Sequence, residues 1–265
     1  MRKPKVCILR TAGTNCDMET AFAFVKSGAE TELVHINSLI NEQKKLDDFH
    51  ILALPGGFTY GDDVAAGKIL ANELKYKLGE SLRKFILQKK LIIGICNGFQ
   101  ILVKSGLLPF SSELSMKTSL IINDSGKFED RWIYLRAKDK KYKSHCVWAK
   151  GLPEVIYLPI AHGEGKFVVK DKKVFDQLKD NGQIVFTYSK EDGSKPKGYP
   201  DNPNGSLCDI AGICDETGRI LGLMPHPERH LEIFQHPRYH LNKNKKEGDG
   251  LQIFRNGVEY ARRHL

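Results

Sequence analysis

Cys96 stands in "GICNGFQ", with Gly94 two residues before it and Gly98 two residues after. A thiol so closely flanked by glycines, at the end of the apolar run "LIIGI" and ahead of a helical pattern, fits the G-x-nucleophile-x-G turn. There a strand reverses sharply into a helix and the middle side chain stands clear. At a helix N-terminus the partial positive charge and free N–H groups stabilise a thiolate. The N–H of Asn97 can also face an oxyanion forming on an attacked carbonyl. The plain alternative is a buried cysteine beside glycines that merely permit tight packing. A nucleophile therefore needs a base, and the base needs a group to orient it.

Among nine histidines, His226 has the most distinctive setting: the apolar run "ILGLM" ends in Pro225-His226-Pro227-Glu228. Pro227 biases His226 toward extended backbone, where residues two apart project to the same side. Glu228 can then hold one imidazole nitrogen while the other faces a thiol. A capping role is the plain alternative for His226. A rival reading takes His226, His230, His236 and His240 as metal ligands, but no cysteine pair or catalytic helix motif accompanies them. The third element is "ILALPGGFTYGDD", where a buried strand runs into a glycine pair and the Gly57 N–H could complete an oxyanion hole. A glycine pair after a strand equally describes a simple turn.

These residues need elements to hold them. From residue 5 to about 108, short apolar runs ("KVCIL", "ETELVHI", "ILAL", "LIIGI") alternate with helical patterns ("NCDMETAFAFVKSGA", "DDVAAGKILANELKYKL", "ESLRKFILQKK", "NGFQILVKSG"). Such alternation predicts parallel pairing in an α/β layer architecture. "ILAL" and "LIIGI" are apolar throughout, as for central strands covered on both faces. Gly28 and Gly106 each follow a helical stretch, where a left-handed C-cap is expected. Beyond residue 115 the pattern becomes strand-like ("SLII", "RWIYL", "EVIYLPI", "KFVV", "QIVFTY", "DIAGIC", "RILGLM"), and one more helix, "GLQIFRNGVEYARRHL", closes the chain. With no repeat and no linker, residues 1–265 read as one α/β domain whose second half adds mixed strands. The polar loops at 190–206 and 235–250 are candidates for mobility.

Bulk composition agrees. The 265 residues are 41% hydrophobic and 28% charged, enough for a sizeable core. No stretch approaches the roughly 18 apolar residues of a membrane span, and the apolar run near the start is too short for a signal peptide, so a cytoplasmic chain is expected. Six cysteines without a C-x-x-C pair fit neither a disulfide scaffold nor a zinc ribbon, and all but Cys96 read as packing residues. The formal charge of +9 concentrates in "KDKKYK" (138–143) and "NKNKKEG" (242–248). These read as solvated loops, with docking of an acidic partner or a phosphorylated substrate as the alternative. No nucleic-acid motif accompanies the charge, and no G-x-x-x-x-G-K-[ST] phosphate loop is present.

Read with their flanks, the motifs "GTNCD", "LPGGFTYGD", "GICNGFQIL", "GLLP", "PIAHGEGKF", "QIVFTY", "NPNGS", "DIAGI" and "MPHPER" resemble the class I (triad) glutamine amidotransferases. Within these they resemble most the glutaminase subunits of phosphoribosylformylglycinamidine synthase, and the resemblance covers nearly the whole chain. It implies a flavodoxin-like three-layer fold with a mostly parallel central sheet. It also implies that Cys96 attacks the side-chain amide of glutamine, that His226 serves as base and then acid, and that Glu228 orients it. A glutamyl thioester on Cys96 would be hydrolysed to glutamate. Gly57 and Asn97 would hold the oxyanion, and Gln100 and Gly163 would help to bind glutamine. His162 and Glu164 are further candidates, for the glutamine pocket, a partner contact or a turn. The resemblance implies no metal or cofactor in this chain. ATP and Mg belong on a partner synthetase subunit (PurL), often joined by a small third subunit (PurS), which receives ammonia and converts formylglycinamide ribonucleotide to formylglycinamidine ribonucleotide. Rival readings are a glutaminase serving another acceptor, a cysteine hydrolase or chaperone-like protein sharing the elbow, and a catalytically idle binding subunit.

Overall fold

The computed structural model describes residues 3–137, 144–241 and 246–265. The basic run 138–143 and most of the one at 242–248 lie outside the described residues. In chain order the elements are β1 (Lys5–Arg10), α1 (Asp17–Lys26), β2 (Glu30–His35), α2 (Ile36–Ile40), β3 (Ile51–Leu54), α3 (Lys68–Lys77), α4 (Gly79–Leu87), β4 (Leu91–Ile95) and α5 (Asn97–Ser105). The second half contributes β5 (Thr118–Ile121), β6 (Glu129–Arg136), β7 (Val155–His162), β8 (Lys166–Val169), α6 (Lys172–Asp180), β9 (Ile184–Ser189), β10 (Ile210–Cys214), β11 (Ile220–Leu223) and α7 (Leu251–His264).

Nine strands form one sheet in the order β2-β1-β3-β4-β11-β10-β9-β6-β7, and β5 pairs with β8 in a separate ribbon. The pairings from β2 to β11 are parallel, in the flavodoxin-like order. Those from β11 to β7 are antiparallel and add the mixed strands of the second half. Every residue of β3 and β4 is buried, as continuous apolar runs require of central parallel strands. Helix α1 packs with α7, and α3 packs with α4 and α5. On one side Phe24 of α1 meets Phe254 of α7 and Trp148 edge to face, with ring centroids 5.0 and 6.4 Å apart.

Gly28 and Gly106 take positive φ as expected after α1 and α5. Three readings need correction. The helix expected from Asp62 begins only at Lys68, because Tyr60, Gly61, Asp62 and Gly67 are left-handed and the Gly67 N–H bonds the Asp62 carboxylate. Helix α6 occupies "KKVFDQLKD", a highly charged stretch outside the strand-like pieces, whose few apolar residues, Val174, Phe175 and Leu178, stand at helical spacing; it buries Val174 and Leu178, and the Asp171 side chain caps it by accepting the Val174 N–H at 3.0 Å. Cys208 is exposed, unlike the other cysteines. Of the loop 190–206, the end is tied down: Asn204 donates to the Gly165 carbonyl and the Tyr188 hydroxyl, each at 2.9 Å. Among the described residues no helix is long and apolar enough to cross a membrane.

Candidate active site

Strand β4 delivers Cys96 with φ 51° and ψ −106°, a sparsely populated conformation that costs about 1–3 kcal/mol and persists only where the surroundings impose it. The flanking glycines impose it. A Cβ on Gly98 would lie 1.9 Å from the Leu54 carbonyl oxygen, and one on Gly94 would lie 2.5 Å from the Gly98 carbonyl oxygen. The first turn of α5 therefore presses directly onto β3 and β4. Cys96 is 5% exposed, and its Sγ lies 3.6 Å from the Ala161 carbonyl oxygen.

Parallel pairing sets the second group beside the first. Leu223 is opposite Ile95 in the β4–β11 ladder, and the Cys96 N–H donates to the Leu223 carbonyl at 2.8 Å. Three residues on, the His226 N–H is fixed to the Pro159 carbonyl at 2.8 Å. His226 Nδ1 is 2.6 Å from Glu228 Oε1, with both residues 2% exposed. A carboxylate there assigns the proton of the neutral ring to Nδ1 and leaves Nε2 to take up and give back a second one. Nε2 is buried with no partner of hydrogen-bond geometry. Burial pushes the imidazole toward the neutral form, but the Glu228 carboxylate, then the Cys96 sulfur, hold its pKa well above the ordinary value.

Gly57 follows β3 and forms a bridge with Thr14. The bonds of that bridge run from the Asn15 N–H to the Gly56 carbonyl and from the Phe58 N–H to the Gly13 carbonyl, bracketing Gly57 without using its own N–H. The preceding Gly56 makes room for the base: a Cβ there would lie 2.8 Å from His226 Cε1. Asn97 carries two sets of bonds. Its Oδ1 accepts the Thr59 hydroxyl at 2.8 Å and the Thr59 N–H at 3.2 Å, and its Nδ2 donates to Gln100 Oε1 at 2.9 Å and Asp62 Oδ1 at 3.2 Å.

Gln100 Nε2 in turn donates to the Glu164 carbonyl at 2.6 Å. Gln100 thus braces the turn that carries Gly163, which has open space beside it: a Cβ there would meet only the Phe128 ring, at 3.8 Å. His162 ends β7 beneath that turn. Its Nδ1 faces Asn123 Oδ1 at 3.2 Å, and burial, reinforced by His226, pushes its pKa down to about 3. The structure therefore brings Cys96, His226 and Glu228 together, joins Gly57 to Asn97 through Thr59, and joins Gln100 to Gly163 through Glu164.

Two neighbours were not legible. Asn123 braces the site from a loop, accepting the Gly165 N–H and donating to the His162 carbonyl; "IINDSGK" gives only a turn signal. Cys16, read as a packing residue, lies beside the base: its Sγ, a His226 nitrogen and a Glu228 oxygen are within 4.8 Å of one another. The Arg229 guanidinium donates to that sulfur at 3.1 Å, and its positive charge opposes a cation there. His226, His230, His236 and His240 form no such group among the described residues. A cavity of about 870 Å³, lined by Cys146, Asn256 and Tyr260 among others, contains none of these site residues.

With this geometry in view, the likeness to known proteins is direct. The family of CobB/CobQ-like glutamine amidotransferase domains matches residues 3–261. Phosphoribosylformylglycinamidine synthase subunit PurQ of Dehalococcoides mccartyi is 51% identical over 262 residues, covering 99% of each chain. The subunit of the same name from Methanococcus maripaludis is 48% identical over 270 residues, covering 97% of each. A chain in the structure of PurLQS from Thermotoga maritima aligns with a TM-score of 0.73 at 31% identity, covering 98% of this chain and 99% of that one. The chain belongs to the class I glutamine amidotransferases and, among them, to the PurQ family of glutaminase subunits of phosphoribosylformylglycinamidine synthase.

Proposed function

We propose that Cys96, His226 and Glu228 hydrolyse glutamine and that the ammonia is passed to an ATP-dependent synthetase subunit. The observation that carries this reading is the buried His226–Glu228 pair, bonded at 2.6 Å, set beside the strained Cys96 at the start of α5. As the Cys96 sulfur attacks the side-chain amide carbon of glutamine, its thiol proton passes to His226 Nε2, and the carbonyl oxygen takes up negative charge opposite the N–H groups of Gly57 and Asn97. His226 gives a proton to the departing nitrogen, the C–N bond breaks, and ammonia leaves a glutamyl thioester on Cys96. His226 then takes a proton from water as it attacks the thioester, and glutamate departs with the sulfur restored. Glu228 keeps the Nδ1–H pointed away from the reaction throughout. The turn at Gly163, braced by Gln100, supplies the glutamine pocket.

Residues 1–265 act as one glutamine amidotransferase domain. The acceptor chemistry lies outside it: ATP and Mg act on the PurL subunit, with PurS as a third component, to convert formylglycinamide ribonucleotide to formylglycinamidine ribonucleotide. Ammonia released into water is protonated and lost as a nucleophile, so turnover is expected to be weak alone and to rise in the complex.

Glutamate release by wild type and Cys96→Ala, with and without PurL, PurS, ATP and formylglycinamide ribonucleotide, tests the reading. Turnover that depends on Cys96 and rises with the partners is expected. A folded wild-type chain that releases no glutamate even in the complex would overturn it and favour the idle binding subunit.

A further inference from the structure

The two proposed oxyanion donors come from segments forty residues apart, and one side chain joins them. Asn97, 1% exposed, supplies a backbone N–H from the first turn of α5. Its side-chain oxygen accepts both the hydroxyl and the N–H of Thr59, itself 3% exposed and two residues past Gly57. Its side-chain amide reaches on to Asp62.

The loop so held does not rest in a relaxed conformation. Tyr60, Gly61 and Asp62 are consecutive left-handed residues, with φ of 55°, 69° and 54°. For the two that carry a Cβ this conformation is strained, so the loop keeps this shape only while it is tethered. The tethers are Thr59 and Asp62 to Asn97, the Gly67 N–H to the Asp62 carboxylate, the Tyr60 N–H to the Ala12 carbonyl at 2.8 Å, the Tyr60 hydroxyl to Glu73 at 2.6 Å, and, on the Gly57 side, the bridge with Thr14 through the Phe58 N–H and the Gly56 carbonyl. The Asn97 clamp ties residues 59–62 to the first turn of the nucleophile's own helix.

We propose that Thr59 and Asp62 are positioning residues that, through the Asn97 side chain, set the Gly57 N–H against the Asn97 N–H and so form the oxyanion hole. The inference rests on the glutaminase reading above. In it, neither residue touches glutamine or the thiol. Loosening the clamp lets the loop relax and carries the Gly57 N–H away from the developing charge, while Cys96, held by β4 and the Leu223 carbonyl, stays where it is. The effect falls on the transition state and not on substrate binding or on the thiol.

Thr59→Val, which removes the hydroxyl at nearly constant shape, Thr59→Ser, which restores it, and Asp62→Asn are compared with wild type in the full chain, alone and in the complex. The measurements are kcat and KM for glutamine and the rate at which iodoacetamide alkylates Cys96. Since deleting one oxyanion donor costs roughly 10²–10³ in kcat, a displaced one is expected to cost about tenfold or more in Thr59→Val. KM and the alkylation rate should stay near wild type, Thr59→Ser should recover most of the rate, and Asp62→Asn should fall between. Wild-type kcat in Thr59→Val overturns the proposal, as does alkylation that falls in step with turnover, or a serine variant as slow as the valine. Absence of turnover in wild type overturns the glutaminase reading as well, so the two failures are distinguishable.

Discussion

Two buried imidazoles are held in opposite states, His226 by the Glu228 carboxylate and His162 by burial. His226, paired with a carboxylate, is held well above its ordinary pKa; His162, buried without a charged partner and facing Asn123, is pushed down to about 3 by burial and by His226. Their effects on stability fall in separate pH windows. A raised His226 stabilises the fold fully below about 6.5, and the contribution is lost as pH rises through its folded pKa. For His162 the unfolded chain takes up a proton near pH 6.5 that the native chain refuses down to about 3. Native stability should therefore drop through that interval by about 1.4 kcal/mol per pH unit from this group alone. Denaturant unfolding of wild type and His162→Gln between pH 6.5 and 4.5 measures it. The stability of wild type relative to the variant is expected to fall as pH falls, and a constant difference would count against the buried neutral imidazole.

Helix α5 owes its position to glycine at two places where no side chain fits. Gly98→Ala is expected to destabilise the chain by about 1–3 kcal/mol, since a methyl group 1.9 Å from the Leu54 carbonyl forces strand and helix apart. It should also slow glutamate release by moving Cys96. Gly79→Ala is the control: nothing lies within 4 Å of its Cβ position at the start of α4, and a gain of about 0.4–1 kcal/mol is expected. Thermal or denaturant unfolding separates the two. The elements that carry Cys96 and His226 were the legible ones, because β4 and β11 are apolar runs and turn chemistry follows each. The start of α3 was not legible, because "DDVAAG" has helical periodicity that a run of left-handed residues interrupts. Helix α6 was hidden by its charge, with two buried side chains in nine residues. The bracing groups Asn123 and Thr59 were illegible for another reason: their partners lie about 40 residues away in sequence, and no local pattern encodes that.

At the scale of the molecule, parallel and antiparallel halves share one sheet and one continuous apolar cluster, from Val6 in β1 to Ala261 in α7. Calorimetry of the full chain is accordingly expected to give a single cooperative transition with matching calorimetric and van't Hoff enthalpies; two resolved transitions would divide the chain into separate domains. The sheet order has another consequence, for the order of events during synthesis. Strand β11 comes near the end of the chain yet lies between β4 and β10, so a growing polypeptide carries Cys96 for more than a hundred residues before His226, its proposed base, exists. The slot beside β4 is filled only when the last strand is inserted. A chain that ends before β11 therefore holds Cys96 without its proposed base, and on that reading ammonia release is expected only once the sheet is finished.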